Sequence, residues 1–397
     1  MRIAIVAGDD FIGDDPALLG GALSVQGHDV GVYVRQGDRR PAQSRSDRGY
    51  RIVSGCVGPA AARSAADMLP FVGDWAAKLE RCWLSDQPDV VHAFGWLGGL
   101  AAQLAARREA LPTVQTFQAL AALSQSYPDA TAAKGMEQQR IESLLARNAR
   151  WATAECSAEP DVLARLRHGR ERASVFCGGI DVEQFAPTGP VLECTDPHRI
   201  LCVAPNPLLD NGFDIAVKAL PRVPATELVF AETGATNRAH DQARAKLRRL
   251  ARELRVADRV RFSGTVPGDE LPMLLRSAAV LVCTPRQSQR ATPVLQAMAT
   301  GLAVIALPVG ALSDIVVDDV TGIVLSADNP VELSAALRSV PVQSFRCKSM
   351  GAAGRSRALS RYTWRRIALD SLAIYGKLSS ARVLCRTRRG ATEEVTR

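Results

Sequence analysis

Short apolar runs alternate with amphipathic stretches along most of this chain. Arg2 to Val6 reads as a buried parallel strand, a helical pattern follows from about Pro16 to Gln26, and Gly27-His28-Asp29 leads into a second strand, Val30 to Val34. This β-α-β opening is the unit from which doubly wound sheets are built. Pro88 to Phe94 predicts a strand ending in a loop, Leu100 to Arg108 a helix, Thr113 to Phe117 a strand and Met136 to Arg147 a helix. Trp151 to Cys156 predicts another strand with an Ala-rich helix after it, and Ser174 to Phe176 closes the half.

Ala186 to His198 is rich in Pro, Gly and acids, has no apolar period, and reads as a linker. A second α/β series begins at Ile200-Leu-Cys-Val203. Its strands are expected at Leu228–Ala231, Val260–Phe262, Val280–Cys283, Ala303–Leu307 and Ile323–Leu325, with helices between them. After about Asn329 the chain reads as helical, and the last dozen residues read as a frayed polar tail. The expected division is therefore 1–187 and 188–360 as two Rossmann-like α/β domains, 361–380 as a C-terminal helix and 381–397 as a tail. Ligands of open α/β sheets bind at the carboxyl ends of the strands. That directs attention to Gly8–Asp15, His92–Gly99, Gln118, Ala204–Gly212 and Pro285–Gln296.

Composition narrows the classes. With 397 residues, 47% hydrophobic and 23% charged, the chain suits two globular domains and excludes disorder. The net charge of +8 admits nucleic acid, an anionic membrane face or phosphorylated ligands. The excess is mostly Arg on helix-like stretches such as Arg244 to Arg255, where a solvated helix face explains it. No nucleic-acid motif accompanies it, so no nucleic-acid partner is expected, while peripheral membrane contact stays open. Nine Cys occur without a CxxC pair, which suggests a reducing compartment, and no His/Cys/Glu cluster has metal-ligand spacing. No signal-peptide core follows Met1, and the uncharged stretch Ala291–Ser313 is broken by Pro293, Gln296, Gly301, Pro308 and Gly310. The expectation is a cytoplasmic protein with no transmembrane segment, no metal and no cofactor.

Several motifs carry a family likeness. Thr284-Pro285, Leu295-Gln296-Ala297-Met298-Ala299-Thr300-Gly301, Val309-Gly310-Ala311 and Val316-Val317-Asp318-Asp319-Val320-Thr321-Gly322 together resemble the donor-site signature of family-4 glycosyltransferases. That signature reads E-x7-E-A-M-A-x-G, V-G-G, V-x-D-G-x-T-G. Asp89-Val90-Val91-His92-Ala93, Val114-Gln115-Thr116-Phe117, Gly179-Ile180-Asp181 with Phe185, and Tyr362-Thr363-Trp364 resemble further landmarks of that family, so the likeness runs from about residue 1 to 378. It implies an α/β GT-B fold: two Rossmann-like domains facing a cleft, with a C-terminal helix returning to the N-terminal domain.

The resemblance also implies a substrate, a nucleotide-diphosphate sugar bound without a metal in the C-terminal domain. The developing charge on the diphosphate needs fixed cations or backbone N–H groups. The family supplies an Arg and a Lys in the loop after the first strand of that domain. Here the Arg position falls on Pro205 or Asn206, and the Lys position on Asn211, beside Gly212 and the acidic Asp210. Asn211 and Gly212 equally suit a plain strand–helix turn. The two family glutamates correspond to Ser288 and Gln296; Gln296 keeps hydrogen-bonding capacity without charge, or simply solvates a helix. The active-site His corresponds to Gln118, which has no proton to exchange near neutral pH. On the acceptor side, Gly8 and Gly13 remain of a Gly-rich loop that now carries Asp9, Asp10, Asp14 and Asp15. His92 also remains, readable either as an acceptor contact or as a packed strand-end His.

Replacement concentrated at the site, with the scaffold kept, implies an impaired transferase with a binding or regulatory role. In that case the ligand would be a nucleotide sugar and the partner an intact glycosyltransferase. The alternative is an active retaining glycosyltransferase with a divergent site.

Overall fold

A computed structural model describes the chain except residues 9–12, 37–42, 60–64, 119, 121–131, 168–171, 194–197, 289, 343 and 395–397; at 36, 43, 65–66, 132–135, 341–342 and 380–394 it describes the backbone alone. The chain divides into two compact units, Met1–Gly178 with Trp364–Arg397, and Gly179–Thr363.

The first unit runs β1 (Arg2–Ala7), α1 (Asp15–Val25), β2 (Asp29–Gln36), β3 (Gln43–Arg45), β4 (Arg51–Cys56), α2 (Val72–Ser85), β5 (Val90–Phe94), α3 (Trp96–Arg108), β6 (Thr113–Thr116), α4 (Ala132–Asn148), β7 (Trp151–Ala154), α5 (Glu159–Leu166) and β8 (Ala173–Val175). The sheet order is β3-β4-β2-β1-β5-β6-β7-β8, parallel except for the β3–β4 pair. Helices cover both faces, which is why β1 and β5 are apolar runs rather than alternating ones. One core packs Trp75, Leu79 and Trp83 of α2 against Leu97 and Ala101 of α3. Three elements escape the apolar-run reading. β3 is a short polar edge strand, β4 lies between it and β2 with only its middle residues buried, and α2 carries its buried residues at helical spacing within a mixed sequence.

The second unit runs β9 (Arg199–Ala204), α6 (Phe213–Ala219), β10 (Glu227–Glu232), α7 (Arg238–Glu253), β11 (Val260–Thr265), α8 (Leu271–Arg276), β12 (Val280–Cys283), α9 (Thr292–Thr300), β13 (Val304–Ala306), α10 (Leu312–Ile315), β14 (Gly322–Val324), α11 (Pro330–Val342) and α12 (Ser344–Arg361). Its strands order β11-β10-β9-β12-β13-β14, all parallel. Counted from β9 this is 3-2-1-4-5-6, the doubly wound dinucleotide-fold order, whose switch point lies between β9 and β12. The loops leaving β9 and β12 therefore meet at the place where such sheets bind ligands. The segment expected as a linker is strapped to this unit by Arg276, whose guanidinium donates to Pro190 O at 2.7 Å and Ala186 O at 3.1 Å.

The last helix, α13 (Trp364–Glu394), belongs to the first unit and packs on α1, burying Trp364, Ile367, Tyr375 and Leu378 with Leu19 and Leu23. Just before it, Ile180 N donates to Tyr362 O at 2.7 Å, so the Gly-Ile-Asp turn and the Tyr-Thr-Trp motif, distant in sequence, touch. Among the described residues no helix is long and apolar enough to cross a membrane.

Candidate functional site

In the first unit the site positions follow β1, β5 and β6. Gly8 is buried, its N–H donates to Phe94 O at 3.4 Å, and a Cβ on Gly98 of α3 would lie 2.6 Å from Gly8 N. The start of α3 is thus pressed against the end of β1, and larger residues do not fit there. Gly13 lies exposed just before α1; Asp9 and Asp10 lie outside the described residues. Gln118 follows β6 and is half-buried. Gln115, three residues before it within β6, is fully buried and donates from Nε2 to Gly95 O at 2.8 Å and Thr116 O at 3.0 Å, pinning the loop after β5.

His92 belongs to the core. Its ring is 1% exposed, with Nδ1 2.6 Å from the Tyr375 hydroxyl and Nε2 2.7 Å from Thr116 Oγ1, which in turn lies 2.6 Å from Thr153 Oγ1. It stacks on Phe94 at 4.4 Å between centroids. Burial pushes its pKa down to about 3, so the ring is neutral. A neutral imidazole has one donor and one acceptor, and the two hydroxyls use both. As an acceptor-side contact, His92 has no nitrogen left to offer.

In the second unit the structure brings Asn206, Asn211 and Gly212 together in the loop from β9 to α6. Asn211 Nδ2 donates to Asn206 O at 2.9 Å and to Asn206 Oδ1 at 2.8 Å, and Asn206 Oδ1 also accepts from Leu208 N at 3.1 Å. The two side chains at the expected cation positions therefore close the loop on itself. Gly212 sits in the left-handed region at φ 73°, and a Cβ there would lie 1.8 Å from Thr284 O, so this position admits glycine alone. The approach ties the β9 loop to the end of β12.

A residue that the motif reading passed over stands in the same place. Arg286, two residues beyond Thr284, donates from Nη1 to Leu209 O at 2.6 Å and to Asp214 Oδ1 at 2.7 Å. Its Nη2 reaches Asp214 Oδ2 at 3.0 Å, its Nε reaches Asp328 Oδ2 at 2.7 Å, and its backbone N–H donates to Asp210 O at 2.8 Å. Lys218 Nζ adds a contact to Asp214 Oδ2 at 2.7 Å. Burial raises the Asp214 carboxyl, but the hydrogen bonds from Arg286 and Lys218 outweigh it and hold the group below its ordinary value. The same bond to Asp214 raises the Arg286 guanidinium. No local sequence signal marks this residue, because Asp214 and Asp328 lie 72 and 42 residues away along the chain.

Ser288 and Gln296 follow β12 but do different things. Ser288 Oγ is buried without a hydrogen-bond partner among the described residues, and a Cβ on Gly310 would lie 2.2 Å from it, so the turn after β13 is seated on this serine. Gln296 lies half-buried on α9; its backbone O accepts from Thr300 Oγ1 at 2.8 Å, and its side-chain amide has no partner among the described residues. Among the described residues, no group of three His, Cys, Asp or Glu side chains is arranged to hold a metal ion.

Comparison with known proteins agrees with this architecture. The family model described as Glycosyltransferase Family 4 matches residues 17–184, and the one described as Glycosyl transferases group 1 matches residues 197–340. The chain is 26% identical over 374 residues to a glycogen synthase of Mycobacterium tuberculosis, covering 89% of this chain and 88% of that protein. It is 27% identical over 396 residues to a D-inositol 3-phosphate glycosyltransferase of Stackebrandtia nassauensis, covering 94% and 87%. Among solved structures, the sucrose-phosphate synthase of Thermosynechococcus elongatus superposes with a TM-score of 0.84 at 20% identity, covering 96% of this chain and 99% of that one. Anabaena HepE in complex with UDP and glucose superposes with a TM-score of 0.70 at 14% identity, covering 95% and 100%. With a GT-B architecture of two Rossmann-like sheets and a family model matched in each half, the chain belongs to the family-4 glycosyltransferases.

Proposed function

We propose that this chain is a family-4 glycosyltransferase impaired in sugar transfer, with a binding or regulatory role in the cytoplasm. The observation that supports this best is the mutual pairing of Asn206 and Asn211. Where the family resemblance implies an Arg and a Lys facing a diphosphate, two neutral amides satisfy each other. Charge-assisted contacts contribute about 1.5–3 kcal/mol each, so two losses weaken donor binding by roughly a hundredfold or more. Gln118, in place of the family His, removes a proton-exchanging group as well. On this reading the donor-side residues are Asn206, Asn211, Gly212, Ser288 and Gln296, Gly8 and Gly13 stand on the acceptor side, and an intact glycosyltransferase is the natural partner.

A second reading, an active retaining enzyme with a divergent site, draws on Gln296. Its unpaired amide can still hydrogen-bond a ribose hydroxyl. The ligand class is the same in both readings, a nucleotide-diphosphate sugar. UDP-sugars are tested first because HepE is known in complex with UDP-glucose. Calorimetric titration with UDP-, GDP- and ADP-sugars, followed by a transfer assay, separates the two. The impaired reading expects weak or no binding and no turnover. A low-micromolar dissociation constant, with turnover lost in Gln296→Ala, establishes the active enzyme.

A further inference from the structure

The missing family cations are one cause of a weak anion site in the β9–α6 loop. The structure adds a different cause, because a cation is present there and is already engaged. Arg286 enters the β9–α6 loop from the end of β12. It grips Asp214 with both terminal nitrogens, Asp328 with Nε and the Leu209 carbonyl with Nη1. Asp214 is 7% exposed and stands in the first turn of α6; the Asp328 side chain is 39% exposed in the turn before α11. The guanidinium thus ties three segments at the ligand-binding edge of the sheet, and a planar fork matched to a carboxylate is its strongest arrangement.

The local charge decides what this edge accepts. Arg286 and Lys218 face the carboxylates of Asp214 and Asp328, with Asp210 exposed alongside. Both cations are thus already matched by carboxylates within the cluster. A phosphate approaching Arg286 must displace a bidentate carboxylate held at 2.7 and 3.0 Å and would then sit against the Asp214 and Asp328 charges it displaced.

We propose that Arg286 is an anion-binding group masked by Asp214 and Asp328, and that this internal ion cluster, beyond the absence of the family cations, keeps phosphate-bearing ligands out of the second unit. The proposal rests on the impaired reading and explains how the site refuses its ligand. It makes Asp214 and Asp328 the specificity-determining residues. Neutralising them exposes a guanidinium suited to a diphosphate.

The test titrates inorganic pyrophosphate and UDP into the full-length wild type, Asp328→Asn, Asp214→Asn/Asp328→Asn, and that double variant carrying Arg286→Gln. The wild type is expected to bind neither ligand measurably. The double variant should gain at least tenfold in affinity for both, and Arg286→Gln should abolish the gain. Asp328→Asn, at the more exposed partner, should show a smaller gain and keeps the test sound if the buried Asp214 substitution unfolds the protein. A folded double variant that gains nothing, or a gain that survives Arg286→Gln, overturns the mask while leaving the impaired reading in place. Tight UDP-glucose binding by the wild type sinks the impaired reading itself.

Discussion

The hydroxyl of Tyr375 lies 2.6 Å from His92 Nδ1, joining the central strand β5 to the C-terminal helix across 283 residues of sequence. Both side chains are buried, and the contact continues through Thr116 to Thr153 on neighbouring strands. Tyr375→Phe keeps the ring packing and removes one partner of a buried nitrogen. Leaving such a group unsatisfied costs about 1–3 kcal/mol. Urea denaturation of the variant should show that loss, and an unchanged midpoint would mean that the hydroxyl contributes nothing to docking α13.

The same histidine sets a pH dependence. Its folded pKa of about 3 lies below its unfolded value near 6.5, because burial disfavours the imidazolium. Between those values the unfolded chain binds the extra proton, so stability is full above about pH 6.5 and falls as pH drops toward 3. From pH 7 to pH 5 the contribution of this one group falls by about 2 kcal/mol. Denaturation measured at both pH values should show this drop in the wild type and a flatter response in His92→Asn. Equal slopes in the two proteins would place the proton elsewhere.

Asp319 stands where the family signature has a glycine, and its φ of 58° is the left-handed backbone that glycine suits. Asp tolerates this region better than most residues, and here it also pairs with Arg346. Asp319→Gly and Asp319→Ala both lose that exposed pair, so their difference isolates the backbone. The Gly variant should be more stable than the Ala variant by about 1 kcal/mol. Thermal unfolding of the two side by side checks it, and an Ala variant equal to Gly would mean the turn relaxes out of the left-handed region.

Much of the fold was legible because parallel strands buried on both faces leave continuous apolar runs. Ile200–Val203 and Val280–Cys283 were read within a residue or two of their observed limits. The β3–β4 edge was not legible, since a short strand ending in Arg45 needs only one neighbour and carries no such run. At the site, sequence motifs located the loops but not what their side chains do. Asn206 and Asn211 are five residues apart, and only the closed loop puts the amides in contact. Arg286 was invisible as a site residue because its partners, Asp214 and Asp328, come from segments 72 and 42 residues away. Pairings across loops depend on strand order, which motif spacing does not encode.

Ser288 offers a prediction of opposite sign from the usual hydroxyl deletion. Its Oγ is buried without a partner among the described residues, so the polar atom carries a desolvation cost with no bond to offset it. Ser288→Ala should therefore be neutral or raise stability by about 1 kcal/mol. A loss greater than that would show that the hydroxyl is bonded in solution, through water or through the neighbouring chain.

Repair of the donor site is the most demanding expectation. Asn211→Lys restores a cation but gives up both bonds that Asn211 makes to Asn206, so the loop loosens as the charge returns. Ser288→Glu brings a carboxylate to a position where Gly310 approaches within reach of the present side chain, and the longer group must extend away from that turn. Gln296→Glu is the least disruptive, since its amide has no partner among the described residues to lose. Together the three should raise nucleotide-sugar affinity by about tenfold to a hundredfold, one to two charge-assisted contacts' worth after the loop's loss. Transfer should remain absent until Gln118→His and Asn206→Arg are added, because stabilisers of one transition state act as a unit. Calorimetry and a transfer assay follow the series. Turnover in the triple variant alone would show that Gln118 already suffices, and the wild type would then be an enzyme weakened only in holding its donor.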